Sequence, residues 1–548
     1  MLTINRLSAA MLLTLTGSLI VSLFFKDQHL WMDEVLSYLL LSDPSLAHAN
    51  RAIVSGMDAN PPLFINLYWL IGHAVSLNSI FLKSLSILLF AGTVVWFFRY
   101  TTRLLDQNSS VQQTTGTLRS RTAVINFLVI LIALSLTYLN YTLSTQIRTY
   151  SLYLLLGWGY IVTLHQLMLH PHNRRWLVAL AVVGILFLYT HNVALFYIAG
   201  AGSFFGLLWL TDWFRRREMR YFPVVGVHLL MALVWLITWF PSFSIQAQSG
   251  VPHSWIPVPT FLTFFKTIGD LIPNVSAHLE VAHPLLMVAR VLVVTVLFGW
   301  IVGAQLRTHG RAALANPAFA FYVLAGFLIG FTFSLGLAVS LVHTSVFLNR
   351  YFWPSSLLLL YQLIYAGWWL RDRVFPQAWS TSRIKLPAFS PLLRSLVLGS
   401  FLALIGLFIA YQNRKIPLFS GAISHDIAKL KPGQPVLLES AYYFLPIRFY
   451  QSRQPIYYLL DWPTALDTRN VLESTTDYKI LEGVADNYRL SGLIRPRQFN
   501  PAHFNHHFYV VDEASRYQIE AFIARGQVKV HQIIPTGVAG HKILDCSF

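Results

Sequence analysis

Three of the five carboxylates close behind the first long apolar run stand beside or between apolar segments, where a lipid-facing chain should hold none. Asp33 and Glu34 lie in "WMDEVLSYLLL" and Asp58 in "GMDANPPL". A carboxylate is costly inside a bilayer, so these belong at its face or in a wet cavity. A single base placed there can take the proton of an acceptor hydroxyl during group transfer. The same pair also suits the first turn of a helix, where the peptide dipoles favour negative charge. Pro61 and Pro62 impose an extended entry to the next helix, and Asp58 and Asn60 equally serve as turn formers.

Two arginines complete the set. Arg148 lies in "STQIRTYSL" and Arg350 in "FLNRYFWP", each at the mouth of an apolar run. An arginine beside hydrocarbon needs a partner or water. One reading is snorkelling to headgroups; the other is a clamp on a lipid phosphate, which a guanidinium grips with two parallel bonds. Tyr351, Phe352 and Trp353 also fit an aromatic belt, and Tyr150 reads as belt or ligand. His191 in "LYTHNVALF" reads as a capping, packing or ligand histidine. His253, Trp255, His278 and His283 are scattered, without the spacing of a metal site. No cofactor is implied, and a divalent metal stays open.

Composition says what must position these residues. Charged residues are 11% of 548, hydrophobic residues 55%, and the mean hydropathy is +0.54. An average soluble domain has roughly a quarter charged residues. The apolar runs are continuous rather than alternating, so the expected class is a polytopic α-helical membrane protein, not a barrel. Spans are expected near Leu7–Phe25, Ile80–Phe98, Thr122–Asn140, Tyr150–Leu169, Leu177–Tyr189, Val193–Trp213, Phe222–Phe240, Pro284–Ala304, Ala318–Leu341, Trp353–Leu370 and Ser395–Tyr411, about eleven in all. The first reads as an uncleaved signal anchor, because no small-residue cleavage pattern follows it. Leu63–Leu77 reads as a helix on the outer surface or dipping into it, the alternative being a full span.

Charge favours the surface reading. With that segment outside the count, Arg99, Arg103, Arg119 and Arg121 fall on the inner side. So do Arg174, Arg175, Arg215, Arg216, Arg217, Arg220, Arg307, Arg311, Arg371, Arg373, Arg383, Lys385 and Arg394. This is the loop-charge rule for orientation. It accounts for a net charge of +17 without nucleic acid, and it puts the acidic loop and the C-terminus outside. The single cysteine, Cys546, excludes an intramolecular disulfide.

The expected domains are a membrane part over 1–411, containing an outer first loop over 26–78, and an extracytoplasmic α/β domain over 412–548. In the latter, "QPVLLES", "HHFYVVDE", "VKVHQIIP" and "HKILDCSF" read as strands and "ASRYQIEAFIARGQ" as a helix. No internal repeat is evident.

The order of these motifs resembles the GT-C membrane glycosyltransferases, in particular the bacterial relatives of protein O-mannosyltransferases and of the lipid A aminoarabinose transferase (glycosyltransferase family 39-like). The resemblance rests on "DE" after the first span, "DxNPPL", "QIRTYSL", "THN" and "NRYFWP". It covers about Leu7 to Tyr411 and, more loosely, the C-terminal domain. It implies a sugar donor on a polyprenyl phosphate and transfer on the periplasmic side of a bacterial inner membrane. Asp33 becomes the candidate base, with Glu34 beside it. The proline motif maps onto Asp58, Asn60, Pro61 and Pro62, and Asn60 departs from the family's frequent histidine. The arginine motif maps onto Arg148 and Tyr150, with Gln146 where a glutamate is common. Arg350 and Tyr351 match the late motif, where donor phosphate contact is expected.

The expected function is therefore transfer of a hexosyl or pentosyl group from a polyprenyl-phosphate sugar to a lipid, glycan or protein acceptor. The rivals are a lipid-linked glycan flippase or transporter and a surface-glycan polymerase or ligase. A transporter would place charge near the midplane and show related halves. A polymerase or ligase would not call for the early acidic pair followed by the proline motif.

Overall fold

The computed structural model describes residues 3–25, 29–108, 115–249, 251, 254–274, 277–374, 391–414, 421–450, 453–467, 475–513 and 518–548. His253, Arg383, Lys385 and the Ala514–Tyr517 start of the expected last helix lie outside these, as do the side chains of Arg119, Arg121, His278 and Arg394.

Helices occupy all eleven apolar segments. Among the described residues, seven are long and apolar enough to cross a membrane, and up to nine if each of two bent pairs is one span. The expected count of about eleven is thus not reached by that measure. Arg174–Leu188 has only 15 residues. Pro354–Val374 carries Ser355, Ser356, Tyr361, Gln362 and Tyr365, all buried against neighbouring helices. A helix that touches protein rather than lipid tolerates such polarity, because its polar groups find partners: Tyr361 donates to the Ala318 carbonyl and Gln362 to the Tyr322 carbonyl. The molecule is a multi-pass helical membrane protein.

Two breaks in this bundle aim chain at one face. Thr122–Ser135 and Tyr138–Ser144 meet at 77°, and Phe222–Thr238 and Phe240–Gln248 at 66°. The first break is pinned by Asn140, which donates to the Leu134 carbonyl and accepts the Trp353 indole N–H at 3.0 Å. The helix that follows, Tyr150–Leu169, is the most enclosed of the seven, with most of its residues buried. Leu63–Ala74 has 12 residues, about 18 Å of helix, too short to span.

The chain between the first two spanning helices folds as the helix Met32–Leu41, the short helix Leu46–Ala52 and a π turn over Ile53–Met57. Gly56 takes φ 101°, left-handed backbone that a side chain would strain, and the turn there redirects the chain at Asp58. The C-terminal domain lies on the same face. Its six strands are β1 (Val436–Leu438), β2 (Ile456–Leu459), β3 (Leu493–Ile494), β4 (His507–Asp512), β5 (Lys529–Pro535) and β6 (Lys542–Ser547), in spatial order β3-β2-β1-β4-β6-β5. The first four in that order are parallel, and β6 pairs antiparallel with both β4 and β5. All four expected strands are present. β2, β3 and the helices Ala441–Tyr450 and Thr475–Tyr488 were not anticipated; the expected last helix is Ile519–Ala524 among the described residues.

Candidate active site

The helix Met32–Leu41 opens with Asp33 and Glu34 in its first turn. One carboxylate looks outward and the other down. Asp33 keeps 23% of its side chain exposed, and its Oδ2 lies 3.7 Å from Nη2 of Arg148. Glu34 is fully buried. Its Oε1 accepts the Ile147 backbone N–H at 2.9 Å and lies 3.7 Å from Nζ of Lys83. Lys83 is itself buried, near the start of the helix Ser79–Asn108. It is absent from the motifs above, although a lone lysine inside "IFLKSLSILLF" is the kind of intramembrane charge that calls for a partner.

Arg148 follows the first helix break and gathers the loop around itself. Nη1 donates to the Asp33 carbonyl at 3.2 Å and to Ser37 Oγ at 3.1 Å, and contacts Asp58 Oδ2 at 3.4 Å. Burial works against its charge, but Asp33 and Asp58 hold the guanidinium above its ordinary value. It therefore sits charged between two carboxylates. Among the described residues no three metal-ligating side chains converge, and the space between Asp33 and Asp58 that a divalent ion would take is filled by this guanidinium.

Asp58 is anchored on its other side. Its Oδ1 accepts the backbone N–H of Asn60 at 2.9 Å and Asn60 Nδ2 at 3.0 Å. Asn60 is thus engaged in the turn before the prolines. Gln246, from the second broken helix, donates to the Asp58 carbonyl at 2.7 Å, and Asn192 donates to the Ala59 carbonyl at 2.7 Å.

Arg350 approaches from the 3-10 turn Asn349–Phe352. Its guanidinium carbon lies 5.3 Å from the Trp255 ring centroid, 5.6 Å from Tyr351 and 5.9 Å from Trp31. Burial disfavours its charge, yet Tyr150, Tyr351 and Asp33 hold it above the ordinary arginine value. Its Nε is buried with no hydrogen-bond partner among the described residues. The turn is fixed by Asn349, whose Nδ2 donates to Asp270 Oδ2 at 2.8 Å while its Oδ1 accepts the Arg350 N–H. Tyr150 is buried, its ring 6.2 Å from that of His191.

His191 stacks on Tyr153 at 4.9 Å and lies 5.0 Å from the Tyr351 ring. Its Nδ1 accepts the Val193 N–H at 3.1 Å, which leaves any proton of the neutral ring on Nε2. Burial first, then Arg148 and Arg350, lower its pKa to about 3. It is neutral at physiological pH.

Asp33, Glu34, Asp58, Asn60, Arg148, Tyr150, His191, Arg350 and Tyr351, drawn from five separate stretches of sequence, thus meet at one face. His283 does not join them; it is exposed at the start of the helix Pro284–His309. Ser37, Lys83, Asn192 and Gln246 do; Lys83 is marked in the sequence by its apolar run and Asn192 by its place in "THN", while nothing local marks Ser37 or Gln246. The C-terminal domain closes over this face. Leu30 N–H donates to the Tyr450 hydroxyl at 3.1 Å, and Trp31 and Tyr442 rings lie 6.1 Å apart.

No family model matches the chain, and no curated protein matches it in sequence. Among solved structures it is similar to ArnT from Cupriavidus metallidurans bound to undecaprenyl phosphate, with a TM-score of 0.51, 13% sequence identity, and 97% of this chain and 96% of that one covered. The same protein in the apo state gives a TM-score of 0.51 and 12% identity, with 97% of each chain covered. ArnT is a lipid A aminoarabinose transferase with a GT-C fold. At this identity the likeness is one of fold, and it spans the bundle and the C-terminal domain together. The GT-C architecture expected from the motif order is the one this chain has.

Proposed function

We propose that this chain is a membrane glycosyltransferase that moves a sugar from a polyprenyl-phosphate donor to an acceptor on the extracytoplasmic side. The observation that carries this reading is the division of charge at the site. Asp33 is a partly exposed carboxylate at the mouth, and Arg350 a guanidinium whose Nε is buried and which has no carboxylate within 4.0 Å among the described residues. The first is placed to accept a proton, the second to receive a phosphate. The bound undecaprenyl phosphate of the ArnT structure supports a lipid-phosphate ligand for this fold.

In this mechanism Asp33 takes the proton of the acceptor as its oxygen attacks the sugar C1. The polyprenyl phosphate departs, and Arg350 stabilises its growing charge; preorganised charge of this kind contributes most where water is excluded. Arg148, shared between Asp33 and Asp58, orients both carboxylates. Glu34 acts through position: held by Lys83 and the Ile147 N–H, it fixes the first turn of the helix that carries Asp33. Tyr150 and Tyr351 line the phosphate side with His191 as a neutral packing partner.

The test is a thermal-shift titration of the detergent-purified protein. Undecaprenyl phosphate should raise the melting temperature saturably, by mass action on the folded state. Nucleotide sugars should not. Arg350→Lys keeps the charge but loses the two-pronged grip, so affinity should fall about tenfold, the worth of one charge-assisted hydrogen bond. Stabilisation by a nucleotide sugar alone would sink the assignment.

A further inference from the structure

The acceptor's chemistry is written in the pairing of charges at the site, taking the glycosyl-transfer reading above as premise. Lys83 is matched by Glu34 at 3.7 Å. Arg148 is shared between Asp58 at 3.4 Å and Asp33 at 3.7 Å. Arg350 is the unmatched cation of the site among the described residues, set among Trp31, Trp255 and Tyr351. One such guanidinium serves one phosphate, and the donor brings it. A second phosphate, arriving on the acceptor, would meet the Asp33 carboxylate with no further unpaired cation of the site, among the described residues, to answer it, and like charges placed together are rejected. A phosphate acceptor would also carry its negative charge already, its second pKa being about 6. A hydroxyl needs the base that Asp33 supplies.

The surroundings of the mouth distinguish a sugar hydroxyl from a peptide one. The helices Met32–Leu41 and Ala441–Tyr450 pack together there. Their seam is aromatic: Trp31 with Tyr442 at 6.1 Å, His29 with Tyr450 at 4.6 Å, Tyr38 with Phe449 at 5.8 Å. Flat apolar faces with polar tips suit the C–H faces and hydroxyl rims of sugar rings. Extended peptides are captured by strand edges, and the domain turns the helices Ala441–Tyr450 and Thr475–Tyr488 toward the first loop rather than an edge of its sheet.

We propose that the acceptor is an uncharged hydroxyl of a glycan. The hydroxyl oxygen bonds to the sugar C1 as the C1–O bond to the phosphate breaks. Its proton passes to Asp33, and the bonding pair leaves with the polyprenyl phosphate beside Arg350. The product is a glycoside, not a glycosyl phosphate, and the two differ in acid lability.

The experiment compares cells producing the wild-type protein with cells producing Asp33→Asn, which keeps the shape of the side chain and the protein in the membrane. Lipid extracts report the donor, and envelope fractions are analysed by mass before and after mild acid and after exhaustive proteolysis. The expected result is a sugar increment that survives mild acid, remains on a protease-resistant glycan and is lost in Asp33→Asn, while polyprenyl-phosphate sugar accumulates. Release of the sugar by mild acid would identify a phosphate acceptor and overturn the proposal. Recovery of the sugar on a peptide would overturn it equally. Both failures leave donor accumulation intact, whereas no change in the donor pool would instead remove the glycosyl-transfer premise.

Discussion

Asp33 and Glu34 are neighbours in sequence and opposites in circumstance. Consecutive residues on a helix point about 100° apart, so one side chain reaches the mouth and the other the interior, where it meets Lys83. Asp33→Asn should therefore abolish transfer while undecaprenyl phosphate still binds. Losing a general base costs about 10²–10⁴-fold in rate, and a turnover assay on reconstituted protein measures it directly. A rate within a few-fold of wild type would reduce Asp33 to a helix-start residue. The neutral His191 adds no titration to the working range, its pKa being lowered to about 3.

The elements that carry these residues are held from both sides. The bundle supplies Lys83 and Arg148, and the C-terminal domain supplies a latch at Asp43, beyond the end of the helix Met32–Leu41. Asp43 accepts the Ser45 N–H at 2.8 Å and the Tyr488 hydroxyl at 2.8 Å, and it pairs with His48. Burial raises its pKa, but these three partners outweigh that, and the net shift is downward from 3.8. A depressed carboxylate stabilises the folded form above its unfolded pKa, and that stability is lost as pH falls through the lower folded value. The contribution of the Asp43 carboxylate to docking should therefore be constant across the neutral range and weaken only below 3.8. Tyr488→Phe removes one donor and should cost about 0.5–1.5 kcal/mol of docking. Hydrogen exchange in Leu46–Ala52 is the readout; unchanged protection would show that the latch carries no docking energy.

At the scale of the molecule, the chain alternates between two faces. Helix ends rich in arginine, such as Arg174–Arg175 and Arg215–Arg217, lie opposite the ends that bear the site. The domain's own thiol tests which face is outside. Cys546 is buried in β6, and burial, with Asp545, Glu439 and Asp512 nearby, pushes its pKa up to about 12. An intact domain should resist a membrane-impermeant maleimide, since the thiolate is the reactive form. Mild denaturant should open it to labelling in intact spheroplasts. Labelling only after the bilayer is permeabilised would place the domain, and the acidic loop under it, on the inner side.

Much of this was legible without a fold. Continuous apolar runs dictate helices in lipid, because backbone groups there must be satisfied within the segment. Costly charges beside those runs mark a site, so Asp33, Asp58, Arg148 and Arg350 could be singled out by type and place. The strands of the domain followed from short apolar runs with turn residues at their ends. What the chain could not declare was pairing. Which arginine is paired with a carboxylate and which is not depends on helix breaks of 77° and 66°, of which only the second is announced locally, by Pro241. Lys83 reads as an oddity until Glu34 is seen above it, and Gln246 and Asn192 are ordinary polar residues until the broken helices carry them to Asp58 and Ala59. Desolvation decides the type of residue a position tolerates, and that is written along the sequence. Electrostatic partnership decides what a charge does, and it depends on distances between segments remote in sequence, which only the tertiary structure sets.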